Sequence, residues 1–201
     1  MLSAPRVCFL PGAAGAAEFW RPVGERLPGD WSKAYHHWPG LGAQAPDPDV
    51  RGFEDLVRRV AGALAPNGDL VAQSLGGIVA VGVAARHPHK VRRLVLAATS
   101  GGIDLTAHGA RDWRADYRRD FPAAAPWILD RAPDLTGDLA RLPVPTMLLW
   151  GEDDEVSPVA VGERLAALLP RAALHVIPGG THDFARERPG LVARLIAAHL
   201  G

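Results

Sequence analysis

Short unbroken apolar runs alternate along the chain with longer stretches whose apolar positions recur every three to four residues. The runs are "RVCFL" (Arg6–Leu10), "DLVAQ" (Asp69–Gln73), "VRRLVLAAT" (Val91–Thr99), "PTMLLWG" (Pro145–Gly151) and "ALHVIPG" (Ala173–Gly179), with a weaker one in "SKAYHH" (Ser32–His37). Their length and their bounding Pro and Gly residues predict strands. Between them, helical spacing predicts helices around Ala17–Leu27, through Phe53, Leu56, Val57, Val60 and Leu64, over about Leu75–Arg86, and over about Pro158–Leu169 and Pro189–Leu200. The last two open on proline, whose missing N–H is harmless in a first helical turn. Apolar strands alternating with helices predict an α/β fold, a parallel sheet covered on both faces. The stretch from Gly101 to about Leu142 breaks this rhythm. It is polar and arginine-rich, and is expected to be an insertion over the carboxyl edge of the sheet within a single domain spanning residues 1–201.

Composition narrows the function classes. The 201 residues carry 22 Lys and Arg against 22 Asp and Glu, a formal net charge of zero. No basic field is present to hold nucleic acid or a membrane surface. No apolar stretch approaches the roughly 18 to 20 residues that a bilayer span needs. The start, "MLSAPRVCFLPGAAGAA", has the small residues of a signal peptide, but its apolar run is short and Pro11 and Gly12 interrupt it. The lone cysteine, Cys8, allows no internal disulfide and reads as a small hydrophobe in a strand. A cytoplasmic protein is expected. Its oligomeric state is left open between a monomer and a weak homodimer.

Candidate chemistry lies at the ends of the strands. Ser74 stands in "AQSLGG" between a strand and a helix, close to the pattern Gly-x-Ser-x-Gly, with Ala72 in the first glycine position. A sharp strand-to-helix turn would expose its hydroxyl beside an unpaired helix N-terminal N–H. Alternatively, Ser74 simply caps the helix. A serine nucleophile needs a base. Of eight histidines, His182 follows the last strand in a glycine-flanked loop. His36, His37, His87 and His89 read as structural or exposed, and His108 as an exposed polar residue of the insertion. The base needs an orienting carboxylate, and "LLWGEDDEVSP" places four acids, Glu152 to Glu155, after a buried strand. Serine, acid and histidine follow in the order of one known triad arrangement. No metal is expected, since neither His-Glu-x-x-His nor paired cysteines occur, and no cofactor is called for.

With these residues in place, the chain resembles the α/β-hydrolase superfamily over most of its length. Trp150, Gly151, Asp154 and Pro158 match the family spacing Trp-Gly-x-x-Asp-x-x-x-Pro, which selects Asp154 over Asp153. Gly179 and His182 match its Gly-x-x-His, and "FLPGAAGAAEFW" is similar to its oxyanion loop. The resemblance implies the α/β-hydrolase fold, a doubly wound sheet of six strands in the order 2-1-3-4-5-6. It further implies a catalytic triad of Ser74, Asp154 and His182 with oxyanion donors at the backbone of Ala13 and Leu75. Ala14, Trp113 and Tyr117 are expected substrate contacts. Departures from the family pattern are Pro11 for a histidine, Ala72 for a glycine, and the lack of leading antiparallel strands.

The expected activity is hydrolysis of a small-molecule acyl ester or thioester through an acyl-enzyme, with short acyl groups favoured. An alternative is a carbon–carbon bond hydrolase or lyase of the same fold. The pyruvate eliminase of the menaquinone pathway carries arginine where this chain has Ile78, four residues after the serine. A binding protein without catalysis is a further alternative, motivated by Pro11 and Ala72. Trp113, Tyr117 and Phe121 recur every four residues and predict one apolar stripe on a lid helix. Arg111, Arg114, Arg118 and Arg119 on that helix would either meet an acidic substrate or carrier, or form a solvated face balanced by Asp112, Asp116 and Asp120. The acids favour the second reading.

Overall fold

A computed structural model describes residues 4–201; Met1–Ser3, the start of the signal-like stretch, lie outside the described residues. Six parallel strands form one sheet: β1 (Arg6–Leu10), β2 (Ser32–Tyr35), β3 (Gly68–Gln73), β4 (Val91–Ala97), β5 (Thr146–Gly151) and β6 (Ala172–Ile177). Their spatial order is β2-β1-β3-β4-β5-β6, the order expected from the sequence. The chain moves from β1 outward to β2, then returns across β1 to β3. The crevice at that reversal lies at the carboxyl ends of β1 and β3, the usual ligand position in such sheets.

Strand alternation sends successive side chains to opposite faces. On one face Cys8, Leu10, Leu70, Ala72, Leu94, Leu96, Leu148 and Trp150 pack under α2 (Phe53–Ala63), α3 (Leu75–Arg86) and α6 (Val159–Leu168). On the other Val7, Phe9, Val71, Val95, Met147 and Leu149 pack under α1 (Arg21–Gly24), α7 (Phe184–Glu187) and α8 (Pro189–Leu200). Between β4 and β5 lie α4 (Arg114–Asp120) and α5 (Thr136–Leu139). This segment is the counterpart of the expected insertion.

Several elements differ in extent from the sequence reading. The helix expected over Ala17–Leu27 is a 3-10 turn at Ala17–Trp20 followed by the single turn α1. Pro22 sits at its start, and Gly24 packs against the hydroxyl end of Tyr35, where a methyl group would clash. Strand β4 stops at Ala97 because Ala98 turns into the left-handed region at φ +47. Strand β5 begins after Pro145, which has no N–H for a central ladder. The aromatic stripe is real, but α4 is shorter than its spacing implied: Trp113 and Phe121 flank the helix, and Arg111 lies before it.

The end of α8 is fastened beneath the sheet. Arg92 forks onto the buried Asp69 at 3.0 and 2.7 Å and donates to the Leu200 carbonyl at 2.7 Å. Arg93 donates to the His199 carbonyl, and the His199 ring contacts the Leu94 carbonyl at 3.2 Å. Burial first, then the Arg93 guanidinium, pushes the His199 imidazole below its ordinary value. Burial, then Arg59 and His37, does the same to His36. Both rings resist protonation more in the folded chain than in the unfolded chain, which takes up protons near pH 6.5. Their stabilising contribution is therefore complete above that pH and is lost as pH falls below it. Urea unfolding at pH 7.5 and 5.5 should show stability falling with acid, and falling less in His199→Gln. An equal fall in the variant would contradict this assignment.

Candidate functional site

The strand–helix junction at Ser74 is backbone geometry before it is chemistry. Ser74 adopts φ +53 and ψ −120, a conformation that costs a non-glycine residue on the order of 1 to 3 kcal/mol. Its neighbours hold it there. The Ser74 N–H donates to the Ala97 carbonyl at 3.0 Å, and the Ser74 carbonyl accepts from the Gly77 N–H at 2.9 Å. The buried Thr99 hydroxyl donates to the same carbonyl at 2.6 Å. The first turn of α3 passes so close to the end of β1 that a methyl group on Gly76 would lie 2.5 Å from the Pro11 carbonyl oxygen. A methyl on Gly77 would meet the Thr99 side chain at about the same distance. Ala72, one position before Gln73, is fully buried in β3 opposite Leu10 and Leu96, so its methyl group has its own place in the core.

His182 and Asp154 meet through two loops that also pass close together. The His182 Nδ1 lies 2.8 Å from Asp154 Oδ2. Asp154 Oδ1 accepts the N–H groups of Val156 and Ser157, both at 2.9 Å. The carboxylate is buried, fixed on both oxygens, and next to a ring whose Nδ1–H it accepts, leaving Nε2 free to act as a base. Asp153 is exposed and makes no such contact. Gly151 allows the approach: a methyl group there would lie 2.5 Å from the Thr181 carbonyl oxygen. Trp150 donates its indole N–H to the Ser157 carbonyl at 2.8 Å and anchors the acid loop from below.

Ser74 and His182 face one cavity of about 650 Å³, although no hydrogen bond joins them among the described residues. Such gaps commonly close when substrate binds. Ala13 and Leu75 line the same cavity beside Ser74. The Gly12 carbonyl accepts the Gly15 N–H at 3.0 Å. In a trans peptide the N–H opposes the C=O, so the Ala13 N–H points the other way from that turn. Two buried tryptophans cap the end of β1. Trp20 donates to the Leu10 carbonyl at 2.9 Å and Trp38 to the Pro11 carbonyl at 2.8 Å. Pro11 thus takes part in an ordered loop in place of the usual histidine.

The remaining wall comes largely from the segment between β4 and β5, including Ile103, Leu105, Trp113, Trp127 and Ile128, with Ile78 from α3. Of the expected substrate contacts Trp113 lines the wall, whereas Tyr117 and Ala14 do not, nor does His108. Ala14 is exposed. The Tyr117 hydroxyl is taken up by backbone groups of two loops, so it is a tether in place of the expected substrate contact. Three of the four arginines are locally matched: Arg111 and Arg119 to Asp116, Arg119 also to Asp120, and Arg114 to Asp112. Sequence reading missed Trp38, Thr99 and Gln73. Gln73 is buried beside Gly12 and reaches the His182 carbonyl at 3.4 Å. Its place immediately before Ser74 was the only local signal.

A model of the alpha/beta hydrolase family matches residues 9–195. The chain is 28% identical over 201 aligned residues to the pimeloyl-(acyl-carrier protein) methyl ester esterase of Neisseria meningitidis (serogroup C), covering 78% of each chain. It is 26% identical over 230 residues to the 2-hydroxymuconate semialdehyde hydrolase of Pseudomonas putida, covering 92% of this chain and 80% of that protein. Among solved structures, a thermophilic esterase from Thermogutta terrifontis has a TM-score of 0.81 at 22% identity, over 98% of this chain and 89% of that one. A meta-cleavage product hydrolase from Pseudomonas fluorescens has a TM-score of 0.76 at 19% identity, over 98% and 91%. At these identities the structural likenesses speak for the fold.

The close backbone approach at the junction makes a paired expectation. Gly76→Ala pushes a methyl group into backbone carbonyls that cannot move independently, and should cost about 3 kcal/mol or more. Gly62→Ala in α2 has nothing within 4 Å of the new methyl group and should stabilise by roughly 0.5 to 1 kcal/mol. Urea denaturation of both variants checks this; similar effects at the two positions would refute the steric account.

Proposed function

The chain belongs to the α/β-hydrolase family and is a hydrolase, and we propose that it cleaves an uncharged acyl ester or thioester through an acyl-enzyme on Ser74. One observation carries the reading: the strained Ser74 turn opens into the same cavity as a histidine already hydrogen-bonded to a buried, doubly anchored carboxylate. Ser74 Oγ attacks the acyl carbonyl while His182 Nε2 takes its proton. Asp154 holds the imidazole tautomer and stabilises the imidazolium. The N–H groups of Ala13 and Leu75 receive the oxyanion, each worth roughly 3 kcal/mol in such sites. His182 then protonates the leaving group. Water, activated by the same ring, releases the acid and restores Ser74.

The wall chemistry supports the substrate class. Ile78, Ile103, Leu105, Trp113 and Trp127 offer an apolar surface, and the arginines nearby are matched by aspartates. A volume of about 650 Å³ accommodates a longer acyl chain than sequence reading suggested. The esterase among the relatives fits this class. A second reading, carbon–carbon bond hydrolysis, is favoured by the semialdehyde hydrolase that aligns over 92% of the chain. Ile78 in the wall weighs against the arginine-dependent lyase.

Purified protein should hydrolyse p-nitrophenyl esters between acetate and octanoate. Ser74→Ala and His182→Ala should each lower kcat about 10³-fold or more. No turnover across that series, or a Ser74→Ala variant that retains activity, would overturn the ester reading. Cleavage of a vinylogous diketone acid without any ester turnover would establish the second reading in its place.

A further inference from the structure

Two loops interlock at the edge of the cavity, one following β1 and one following β2. Gly15 and Gly42 both sit at positive φ, +74 and +55. A methyl group on Gly15 would lie 2.8 Å from the Leu41 carbonyl oxygen, and one on Gly42 would run into the Ala14 carbonyl. The Trp38 N–H donates to the Gly15 carbonyl at 3.0 Å. The loops therefore hold each other at their flanks. Between those flanks the Ala13 carbonyl is bonded by a side chain from a third element. Tyr117 of α4 donates its O–H to that carbonyl at 2.8 Å, and the same hydroxyl oxygen accepts the Gly42 N–H at 2.8 Å.

We propose that Tyr117 is a positioning residue for the oxyanion site, locking Ala13 so that its N–H stays aimed at the reacting carbonyl while α4 is seated over the cavity. This rests on the ester-hydrolase reading. Ala13 joins two peptide planes. The Gly15 N–H fixes the plane before it through the Gly12 carbonyl, and Tyr117 fixes the plane after it. With both planes held, Ala13 has no free torsion through which its N–H could swing out of line. Removing the hydroxyl frees one plane and leaves two backbone groups without their partner.

The latch belongs to the segment that encloses the substrate. Trp113, one turn before Tyr117, lines the cavity and meets the Tyr117 ring edge-on, with centroids 5.5 Å apart at 88°. Phe121, one turn after, also packs on the Tyr117 ring, with centroids 5.0 Å apart. A second tie runs from the Ala125 N–H to the Gly40 carbonyl at 2.7 Å. Burial pushes the Tyr117 phenol above its usual range, the Gly42 N–H opposing this less strongly, so the hydroxyl stays a donor through the neutral range. A ring that only filled space would need no hydroxyl here.

The test is Tyr117→Phe in the full-length protein, which keeps the ring and removes the bridge. Oxyanion stabilisation acts in the transition state, so kcat for p-nitrophenyl ester hydrolysis should fall about three- to tenfold with KM within twofold of the parent. Binding of an alkyl trifluoromethyl ketone, which forms the tetrahedral adduct, should weaken by the same factor. Leu142→Ala, a buried change outside the cavity wall, controls for lost stability and should leave kcat unchanged. Parent kcat and parent ketone affinity in Tyr117→Phe would overturn the latch alone. A parent protein without ester turnover would overturn the ester reading, and the latch with it.

Discussion

The site depends on one close approach, the first turn of α3 against the carboxyl end of β1. Only hydrogen atoms at Gly76 and Gly77 let the helix start so near the Leu10 and Pro11 carbonyls and the Thr99 side chain. That proximity forces the chain through a tight reversal at Ser74, where the backbone enters the left-handed region. The strain is held by the hydrogen bond Ser74 donates to Ala97, by those it accepts from Gly77 and Thr99, and by the packed sheet below. The serine is left standing above the sheet edge with helix N–H groups beside it.

Two further approaches set the rest of the geometry. At Gly151 the acid loop and the histidine loop touch, which brings Asp154 within reach of His182. At Gly15 and Gly42 the loops after β1 and β2 interlock around the turn that holds Ala13. Each is a backbone contact that a single methyl group would block. Tryptophan indoles then satisfy the carbonyls exposed at these crossings, with Trp20 on Leu10, Trp38 on Pro11 and Trp150 on Ser157. The apolar bodies of these side chains are fully buried, so the same residues serve the core and the loops.

Much of this was legible in the sequence because it is encoded locally. Apolar strands such as "DLVAQ" and "PTMLLWG" announce a parallel sheet, and helix starts are marked by prolines at 158 and 189. The order serine, acid, histidine after three different strands was enough to place Ser74, Asp154 and His182 at one edge. What escaped is nonlocal. Trp38 looks like any loop aromatic until the sheet brings it to Pro11, 27 residues away. Tyr117 reads as part of a substrate-facing stripe, but its hydroxyl finds Ala13 across 104 residues. The helix near Ala17 is shortened by Pro22 and by the packing of Gly24 on Tyr35, the latter a contact that spacing alone does not reveal.

The strained turn at Ser74 and the His182–Asp154 pair face one cavity, and the proposed acyl-enzyme route requires that serine to be reactive. The most direct measurement is covalent. Intact protein treated with a fluorophosphonate, then digested and mapped by mass spectrometry, should carry one adduct, on Ser74, and none in protein unfolded in urea. An unlabelled Ser74 in the folded protein, or an adduct on another serine, would contradict the account.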